Sequence, residues 1–331
     1  MNRSLRAASS SCALLIASLV ALPMVASSAG AQDWPVRPVR LILSQAPGSS
    51  PDITARIIAD RLSRAWGQQI IVDNRPGGQN IIGSQLAARS TADGYNFFFA
   101  TTAAMVMNPF TFKSLPYDPV KDFIPVAMLA KSPFVLAAHP GVPARTLAEL
   151  IALDKAQPGK LALANEGPRT FSGMMGQVLN LTAGMKLLQV PYVGPPQAIQ
   201  DTLGGRTQLV LLSSAALNPF LRRGDLRPLA VSAARRVPGL EQVPTLAETF
   251  PGFTYVGWYV LLAPAGTPAR IAQRVNQDVD RVLNDPDVTS RLRELGLVTE
   301  GAGTPASVTR FLDDERTLWS KTVREVGVQP E

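Results

Sequence analysis

Two short turns hold the polar groups of this sequence that could bind a small anion. The first turn, 47–52, reads PGSSPD and offers Gly48, Ser49, Ser50 and Asp52 between an apolar run and a helical pattern. N–H groups at a helix start lack partners and carry partial positive charge, so they suit a carboxylate or a phosphate. The turn lacks the Gly-Lys-Ser/Thr ending of a Walker A loop. An ordinary capped helix is the alternative.

The second turn, 165–172, reads NEGPRTFS and also joins a predicted strand to a predicted helix. It carries Arg169, Thr170 and Ser172. Thr101 and Thr102 end another predicted strand, and open α/β sheets bind ligands at the carboxyl ends of their strands. If the two turns face each other, they could hold both ends of an anion. Arg169 then adds a positive charge to the pocket, unless it points to solvent.

Few residues of this sequence could form a catalytic site. The chain has one histidine, His139, and one cysteine, Cys12. This argues against Ser-His-Asp and Cys-His catalysis and against multi-histidine zinc sites. The acidic run 313–315 lies on an amphipathic helical pattern and is typical of a solvated face. Trp258 and Tyr259 could line a pocket, but core packing is the favoured interpretation. We expect no enzyme activity, no cofactor and no metal.

The elements that would position these groups follow an α/β pattern, with β-rich runs alternating with helical periodicity and strands expected to be mainly parallel. The predicted strands are 39–43, 69–73, 95–101, 134–138, 160–164, 187–190, 208–212, 228–231 and 255–263. The predicted helices include 50–67, one that reaches Arg89, one capped by a Thr146–Glu149 box, 170–182, 197–203, 215–223, 267–283, 287–295 and 305–326.

The first 31 residues have the architecture of a secretory signal peptide. Arg3 and Arg6 precede the apolar run 12–22, Pro23 follows it, and residues 29–31 read AGA. The apolar run is too short for a membrane anchor, which needs about 20 residues. We therefore expect export to the periplasm and a mature chain starting near Gln32. The formal net charge of +7 is dispersed and not interleaved with aromatic residues, which argues against nucleic-acid binding.

Motifs along almost all of the expected mature chain resemble one family. The chain is similar to the Bug family, the periplasmic receptors of tripartite tricarboxylate transporters. The matching stretches, in order, include WPVRPVRLIL (34–43), PGSSPDITARIIADRL (47–62), VDNRPGG (72–78), GSQLAARSTADGY (83–95), LPYDPVKDFIPVAML (115–129), VPYVG (190–194), RGDLRPLAVSAARR (223–236), VPTLAE (243–248) and LLAPAGTP (261–268).

This resemblance implies an α/β, two-lobed periplasmic-binding-protein fold of type II-like form, in which each lobe is a sheet flanked by helices and the ligand cleft lies between them. The expected divisions are a signal peptide at 1–31, a first lobe built from 32–132 and 254–331, and a second lobe at 133–253.

The resemblance also places ligand contacts on the two turns, largely through backbone amides. The expected binding residues are Gln45, Gly48, Ser49, Ser50, Asp52, Thr101, Thr102, Gly167, Pro168, Arg169, Thr170, Phe171, Ser172 and Tyr192. The sequence departs from the family pattern at Gln45, at Ser49, at 167–169 and at Gly173. The ligands of relatives are therefore not transferable to this chain.

The expected function is capture of a small organic acid for a transporter, with membrane transporter subunits as partners and a monomeric receptor. Two alternatives remain open. A receptor of the same fold could present its ligand to a sensor kinase. An exported hydrolase is a more remote alternative, because no set of nucleophile, base and orienting group is visible.

Overall fold

Ten strands form two separate five-stranded sheets in the computed structural model, which describes residues 34–331. The first sheet has the order β2-β1-β3-β10-β4 and the second β7-β6-β8-β5-β9. The strands of the first sheet are Val39–Leu43 (β1), Ile70–Asn74 (β2), Asn96–Thr101 (β3), Phe123–Ser132 (β4) and Gly257–Pro264 (β10). Those of the second are Phe134–Ala138 (β5), Ala162–Asn165 (β6), Leu188–Pro191 (β7), Leu209–Ser213 (β8) and Arg227–Val231 (β9).

Helices flank both sheets, so the predicted α/β, two-lobed fold is confirmed. They are Ser50–Trp66 (α1), Ile81–Ala88 (α2), Asn108–Thr111 (α3), Leu147–Ala156 (α4), Phe171–Ala183 (α5), Pro195–Leu203 (α6), Ser214–Arg223 (α7), Leu246–Thr249 (α8), Ala269–Leu283 (α9), Pro286–Glu294 (α10) and Pro305–Val326 (α11). The final helix, α11, packs on β4 and also touches α5, and so joins the two lobes. The predicted lobe boundaries stay a prediction.

The sheets are mixed rather than mainly parallel, so that expectation was wrong. Parallel pairing joins β1 to β2 and β3, and β6 to β7 and β8. In the first sheet β10 runs antiparallel to both β3 and β4, and in the second β5 runs antiparallel to β8 and β9. The chain enters β10 on its return from the second sheet. Its direction is therefore set by that connection and not by local sequence.

Helix α1 shows why the first turn is where it is. Ser49 caps the helix with extended backbone (φ −72°, ψ 161°), Pro51 lies in its first turn, and Gly67 ends it in the left-handed region at φ 62°. The predicted cap, Ser50, is one residue late. Ile58 and Leu62 are buried among the apolar residues of the first sheet. This packing fixes the start of α1 at the carboxyl end of β1.

Two local predictions need correction. The hydroxyl of Thr146 accepts the N–H of Glu149 at 3.1 Å, but the Glu149 carboxylate accepts the N–H of Arg145 and not that of Thr146. Only half of the predicted capping box is therefore formed. No element was predicted between 102 and 133, where the structure has a π-helix at Ala103–Met107, the short α3 and the long strand β4.

Candidate ligand-binding cleft

A cavity of about 540 Å³ lies between the two lobes and is called the cleft below. The residues of the first lobe that form the wall of the cleft are Ser44, Gln45, Ala46, Ser49, Ser50, Pro51, Pro76, Gly77, Gly78, Gln79, Asn80, Thr101, Thr102, Ala103, Gly257, Trp258 and Tyr259. The second lobe contributes Phe134, Glu166, Thr170, Phe171, Val193, Gly194, Pro195 and Ser213. Seven of the residues predicted from the sequence line it: Gln45, Ser49, Ser50, Thr101, Thr102, Thr170 and Phe171.

The first turn lines the cleft with Ser49 and Ser50, at the start of α1. The Ser49 hydroxyl donates to the carbonyl of Ala46 at 2.7 Å, and the Ser50 Oγ lies 2.8 Å from the phenol oxygen of Tyr259. Neither Ser50 nor Asp52 donates its backbone N–H to a backbone acceptor among residues 34–331. Such amides are the donors that an anion needs at a helix start.

Asp52 points back into its own turn and does not line the cleft. Its carboxylate accepts the N–H of Gly48 at 2.9 Å, the side-chain amide of Asn74 at 3.0 Å and the guanidinium of Arg56 at 3.1 Å. Burial opposes ionisation of Asp52, but these hydrogen bonds outweigh burial and hold its pKa below the ordinary value. Asp52 therefore braces the turn, and Gly48, at φ 78°, is held by it.

Gln45 ties the ends of two strands to a neighbouring loop. Its side-chain N–H₂ lies 2.9 Å from Ser44 Oγ, 2.9 Å from Asn80 Oδ1 and 3.0 Å from Thr101 Oγ1. Its carbonyl oxygen is buried without a partner in the part of the chain that the structure describes. Thr102 is held as well, because its hydroxyl oxygen accepts the N–H of Trp258 at 3.0 Å. This wall of the cleft is thus fixed by side-chain hydrogen bonds.

The second turn is tighter than the first. Gly167 has φ 119°. Its carbonyl accepts two hydrogen bonds from Thr170, one from the hydroxyl at 2.7 Å and one from the backbone N–H at 3.1 Å. Thr170 caps α5 by accepting the N–H of Gly173. A Cβ atom on Gly173 would lie 1.9 Å from the carbonyl oxygen of Gly167. The turn can pack this closely on α5 only because residue 173 has no side chain.

Glu166 is a wall residue that the sequence reasoning did not single out. The Ser172 hydroxyl accepts the N–H of Glu166 at 3.0 Å and lies 3.4 Å from its carboxylate Oε2. The residue is half-buried and lines the cleft. Burial raises the pKa of Glu166 to about 7, and the Ser172 hydroxyl opposes that rise. Its position directly after β6 was the available signal, because residues that follow parallel strands gather at one sheet edge.

The sequence left two positions open for Arg169, the pocket or the solvent, and the structure places it in neither. Its guanidinium pairs with the Glu331 side chain at 2.8 Å and donates to the carbonyls of Thr111, at 3.1 Å, and Gln329, at 3.2 Å. The side chain is only 13% exposed, so it does not point into solvent. It does not line the cleft either. Arg169 instead connects the second turn to α3 of the first lobe.

The other predicted residues lie behind the wall. Gly167, Pro168 and Ser172 shape the second turn without lining the cleft, as Gly48 and Asp52 do for the first. The Tyr192 hydroxyl donates to Asp201 at 2.9 Å, and the next residues, 193–195, form the wall in its place. His139 also lies away from the cleft, where its Nδ1 accepts the N–H of Gly141 at 3.1 Å.

Trp258 and Tyr259 are both core residues and wall residues. They are almost fully buried, and they lie on β10 with part of their surface at the cleft. The Trp258 indole donates to Glu315 on α11 at 2.8 Å, and burial raises the pKa of Glu315. Burial likewise raises the pKa of Tyr259 to about 12, so its phenol stays neutral. The interpretation of these two residues as core alone was therefore incomplete.

Among the described residues that line the cleft, Glu166 is the only one with a carboxylate side chain, and none is a lysine, arginine or histidine. In residues 34–331 no group of three or more His, Cys, Asp or Glu side chains is placed to hold a metal ion. Within the same range, none of the helices is long and apolar enough to span a bilayer. The predicted signal peptide at 1–31 lies outside the described residues.

A family profile described as "Tripartite tricarboxylate transporter family receptor" matches residues 54–328. The chain belongs to this receptor family. Proteins of the family are periplasmic, and they are solute-binding receptors rather than enzymes. The resemblance inferred from the sequence motifs is thereby confirmed.

Relatives agree along the full length. BugT of Bordetella pertussis is 31% identical over 317 residues, which cover 95% of this chain and 97% of BugT. Two solved structures from Rhodopseudomonas palustris share the fold. Rpa4515 with adipate is 33% identical with a TM-score of 0.86, covering 90% of this chain and 100% of that one. MatC with bound malate is 29% identical with a TM-score of 0.80, covering 87% and 99%.

Proposed function

We propose that this family member is exported to the periplasm, captures a small organic acid in the cleft and delivers it to the membrane subunits of a tripartite transporter. The observation that carries the proposal is the start of α1, where Ser49 and Ser50 line the cavity between the two lobes and the N–H of Ser50 has no backbone acceptor among residues 34–331. The adipate and malate bound by two relatives support a carboxylate ligand. Lobe closure on the solute would give the membrane subunits a surface to recognise.

The carboxylate requirement follows from hydrogen-bond strength. A hydrogen bond to a charged acceptor contributes about 1.5–3 kcal/mol, against about 1 kcal/mol for a neutral one. An acid that binds through two or more helix-start donors should therefore lose at least about tenfold in affinity when its carboxylate becomes an amide.

Calorimetry with a panel of small acids and their matched amides tests this proposal. We expect at least one acid to bind and its amide to bind about tenfold or more weakly. Equal affinity of acid and amide would contradict the role of the α1 start. Export has its own test, because N-terminal sequencing of the secreted protein should find a start near Gln32. Retention of Met1 would contradict it.

A further inference from the structure

The charge distribution of the cleft limits the acids that it can accept. Within residues 34–331, Glu166 is the single acidic residue of the wall, and no basic side chain from that range lines the cleft to balance it. Arg169, three residues further on, is paired with Glu331 instead. The Ser172 hydroxyl, at 3.4 Å, is the one hydrogen-bond partner of the Glu166 carboxylate among the described residues. Among the described residues, the cleft therefore has an acidic wall residue with no cationic partner.

The opposite wall is built to receive negative charge. Ser50 lines the cleft, and its N–H has no backbone acceptor among residues 34–331. The carboxylate of Asp52 in the same turn does not line the cleft and is held by Arg56 and Asn74. Glu166 and Ser50 line the same cavity, and Tyr259, whose hydroxyl lies 2.8 Å from Ser50 Oγ, lines it as well. The α1 start and Glu166 therefore share one compartment.

We propose that Glu166 is a specificity-determining residue that binds the protonated amino group of the solute, while the carboxylate of the same solute lies at the start of α1. The ligand class is then small amino-carboxylic acids. This inference rests on the proposed function, because it takes the carboxylate anchor as given and assigns the other end of the ligand.

The energetic reason is that a half-buried carboxylate with one long hydrogen bond and no ion-pair partner among the described residues is costly, and an ammonium group removes that cost on binding. A second carboxylate of the ligand at the same place would have the opposite effect, since two like charges cannot both stay ionised in a closed site. Glu166 would then have to take up a proton. The two ligand classes thus differ in the sign of the proton exchange that accompanies binding.

Other titratable groups near Glu166 do not change charge in the useful range. Tyr259 on β10 stays neutral, because burial raises its pKa to about 12. Burial and the bond to Asp201 raise the pKa of Tyr192, which follows β7. Helix α5, which begins five residues after Glu166, has no charged residue. The guanidinium of Arg169 is paired with Glu331 and does not line the cleft. Burial also raises the pKa of Glu315, which bonds to the wall residue Trp258, so the proton exchange assigned to Glu166 is the part that Glu166→Gln removes.

The first experiment compares matched ligands by calorimetry at about pH 8. The probes are α-amino acids and ω-amino acids of increasing length, each set against the monocarboxylate and the dicarboxylate of the same chain length. We expect an amino acid to bind at least about tenfold more tightly than both of its matched acids. Tighter binding of a dicarboxylate or monocarboxylate would overturn the role of Glu166 and leave the proposed function intact. Failure of every acid, amino or not, would contradict the proposed function itself.

The second experiment counts protons in two buffers of different ionisation enthalpy. Since the pKa of Glu166 is about 7, an amino acid should release protons on binding near neutral pH, and its affinity should fall as the pH is lowered from about 8 to about 5.5. Proton uptake, with affinity rising at lower pH, would mean that Glu166 binds protonated to a ligand carboxylate, and would overturn the proposal.

The third experiment uses Glu166→Gln, which keeps the size of the side chain. The variant should lose at least about tenfold in affinity for the amino acid and lose the proton release, while its affinity for the matched dicarboxylate should stay equal or rise. Glu241→Gln, a change outside the cleft, is the control and should behave as the wild type. Circular dichroism establishes that the variant is folded. An unchanged amino-acid affinity in a folded Glu166→Gln variant would refute the assignment.

Discussion

The first and second turns share one plan, in which a strand ends, a glycine with positive φ follows and a helix begins, yet their acidic residues behave in opposite ways. Asp52 in the first turn is turned back and held by Gly48, Asn74 and Arg56, and its pKa is lowered. Glu166 in the second turn faces the cleft, and burial raises its pKa to about 7.

The difference shows that two helix starts facing one cleft need not be equivalent anion sites. Asp52 lies in the first turn of α1, where it can reach the N–H of Gly48 and satisfy its charge inside the protein. Glu166 precedes its glycine turn, and among residues 34–331 its carboxylate has only the Ser172 hydroxyl as a hydrogen-bond partner. The first turn therefore satisfies its acidic side chain within the protein, and the second turn leaves its acidic residue at the wall of the cleft.

Adding a side chain where Gly173 packs against Gly167 in the second turn should have the largest effect on stability. Gly173→Ala places a Cβ 1.9 Å from the carbonyl oxygen of Gly167, and nothing short of moving the turn relieves that overlap. We expect a loss of about 3 kcal/mol or more in the free energy of unfolding by urea denaturation.

Gly48→Ala in the first turn is the matched control for Gly173→Ala. A Cβ there meets nothing within 4 Å, so only the positive φ is unfavourable and the loss should be about 1 kcal/mol. A neutral or stabilising Gly173→Ala, as expected for an unobstructed helix position, would show that the second turn is no tighter than the first.

The next effect tests the buried carboxylate of the first turn. Asp52→Asn removes the charge that Gly48, Asn74 and Arg56 share, and should lower the free energy of unfolding by about 2–3 kcal/mol at neutral pH. Because the pKa of Asp52 is lowered in the folded state, this contribution is present above the unfolded pKa, 3.8, and is lost as the pH falls through the folded value.

Asp60→Asn provides the control for Asp52→Asn on the same helix. Asp60 is exposed and pairs with Arg64, so its loss should change stability by less than about 1 kcal/mol. Equal effects of the two substitutions would mean that Asp52 has no special role in the first turn.

Glu166, the acidic residue of the second turn, should make the stability depend on pH with the sign opposite to that of Asp52. The pKa of Glu166 in the folded protein, about 7, lies above its ordinary value of 4.5, so its contribution is fully present below pH 4.5 and is lost as the pH rises through 7. Relative to Glu166→Gln, the ligand-free wild type should lose about 2 kcal/mol of stability between pH 4.5 and 7.5, measured by thermal and urea unfolding. A difference that stays constant with pH would place the Glu166 carboxylate in water.

His139, which lies outside both turns, should give the smallest effect. Its Nδ1 accepts the N–H of Gly141, and it does not line the cleft. Calorimetry of His139→Ala with the acid that binds most tightly to the wild type should show affinity within a few-fold of the wild type. A loss above about tenfold, or ~1.4 kcal/mol, would mean that the cleft is not the binding site.

Much of the fold could be predicted from local pattern. Helix α11 was predicted at 305–326 and has those bounds, since Pro305 and Gly327 mark its ends and its apolar residues recur with helical period. The stretch 103–132 was missed for a different reason. Ala103–Met107 is apolar on every side, and β4 contains Pro125 and pairs with β10 through two register shifts, so neither shows a regular period.

Seven of the fourteen predicted binding residues line the cleft, and the binding role of all fourteen stays a prediction. Arg169, Ser172 and Tyr192 are all close to the wall, but their side chains bond to Glu331, Glu166 and Asp201. Spacing along the chain predicts which turn a residue occupies. It does not predict which neighbour its side chain finds.

The sequence by itself determined the two turns, their helix starts and the scarcity of catalytic groups, because capping, glycine conformation and residue counts depend on a few neighbouring positions. Only the tertiary structure decided the charge of the cleft. Arg169 forms an ion pair with Glu331 and does not line the cleft, and Tyr259 donates a hydrogen bond to Ser50, which is 209 residues away in the sequence. The charge state of a carboxylate depends on burial and on partners brought from distant segments, so Asp52 and Glu166 could be told apart only after the chain had folded.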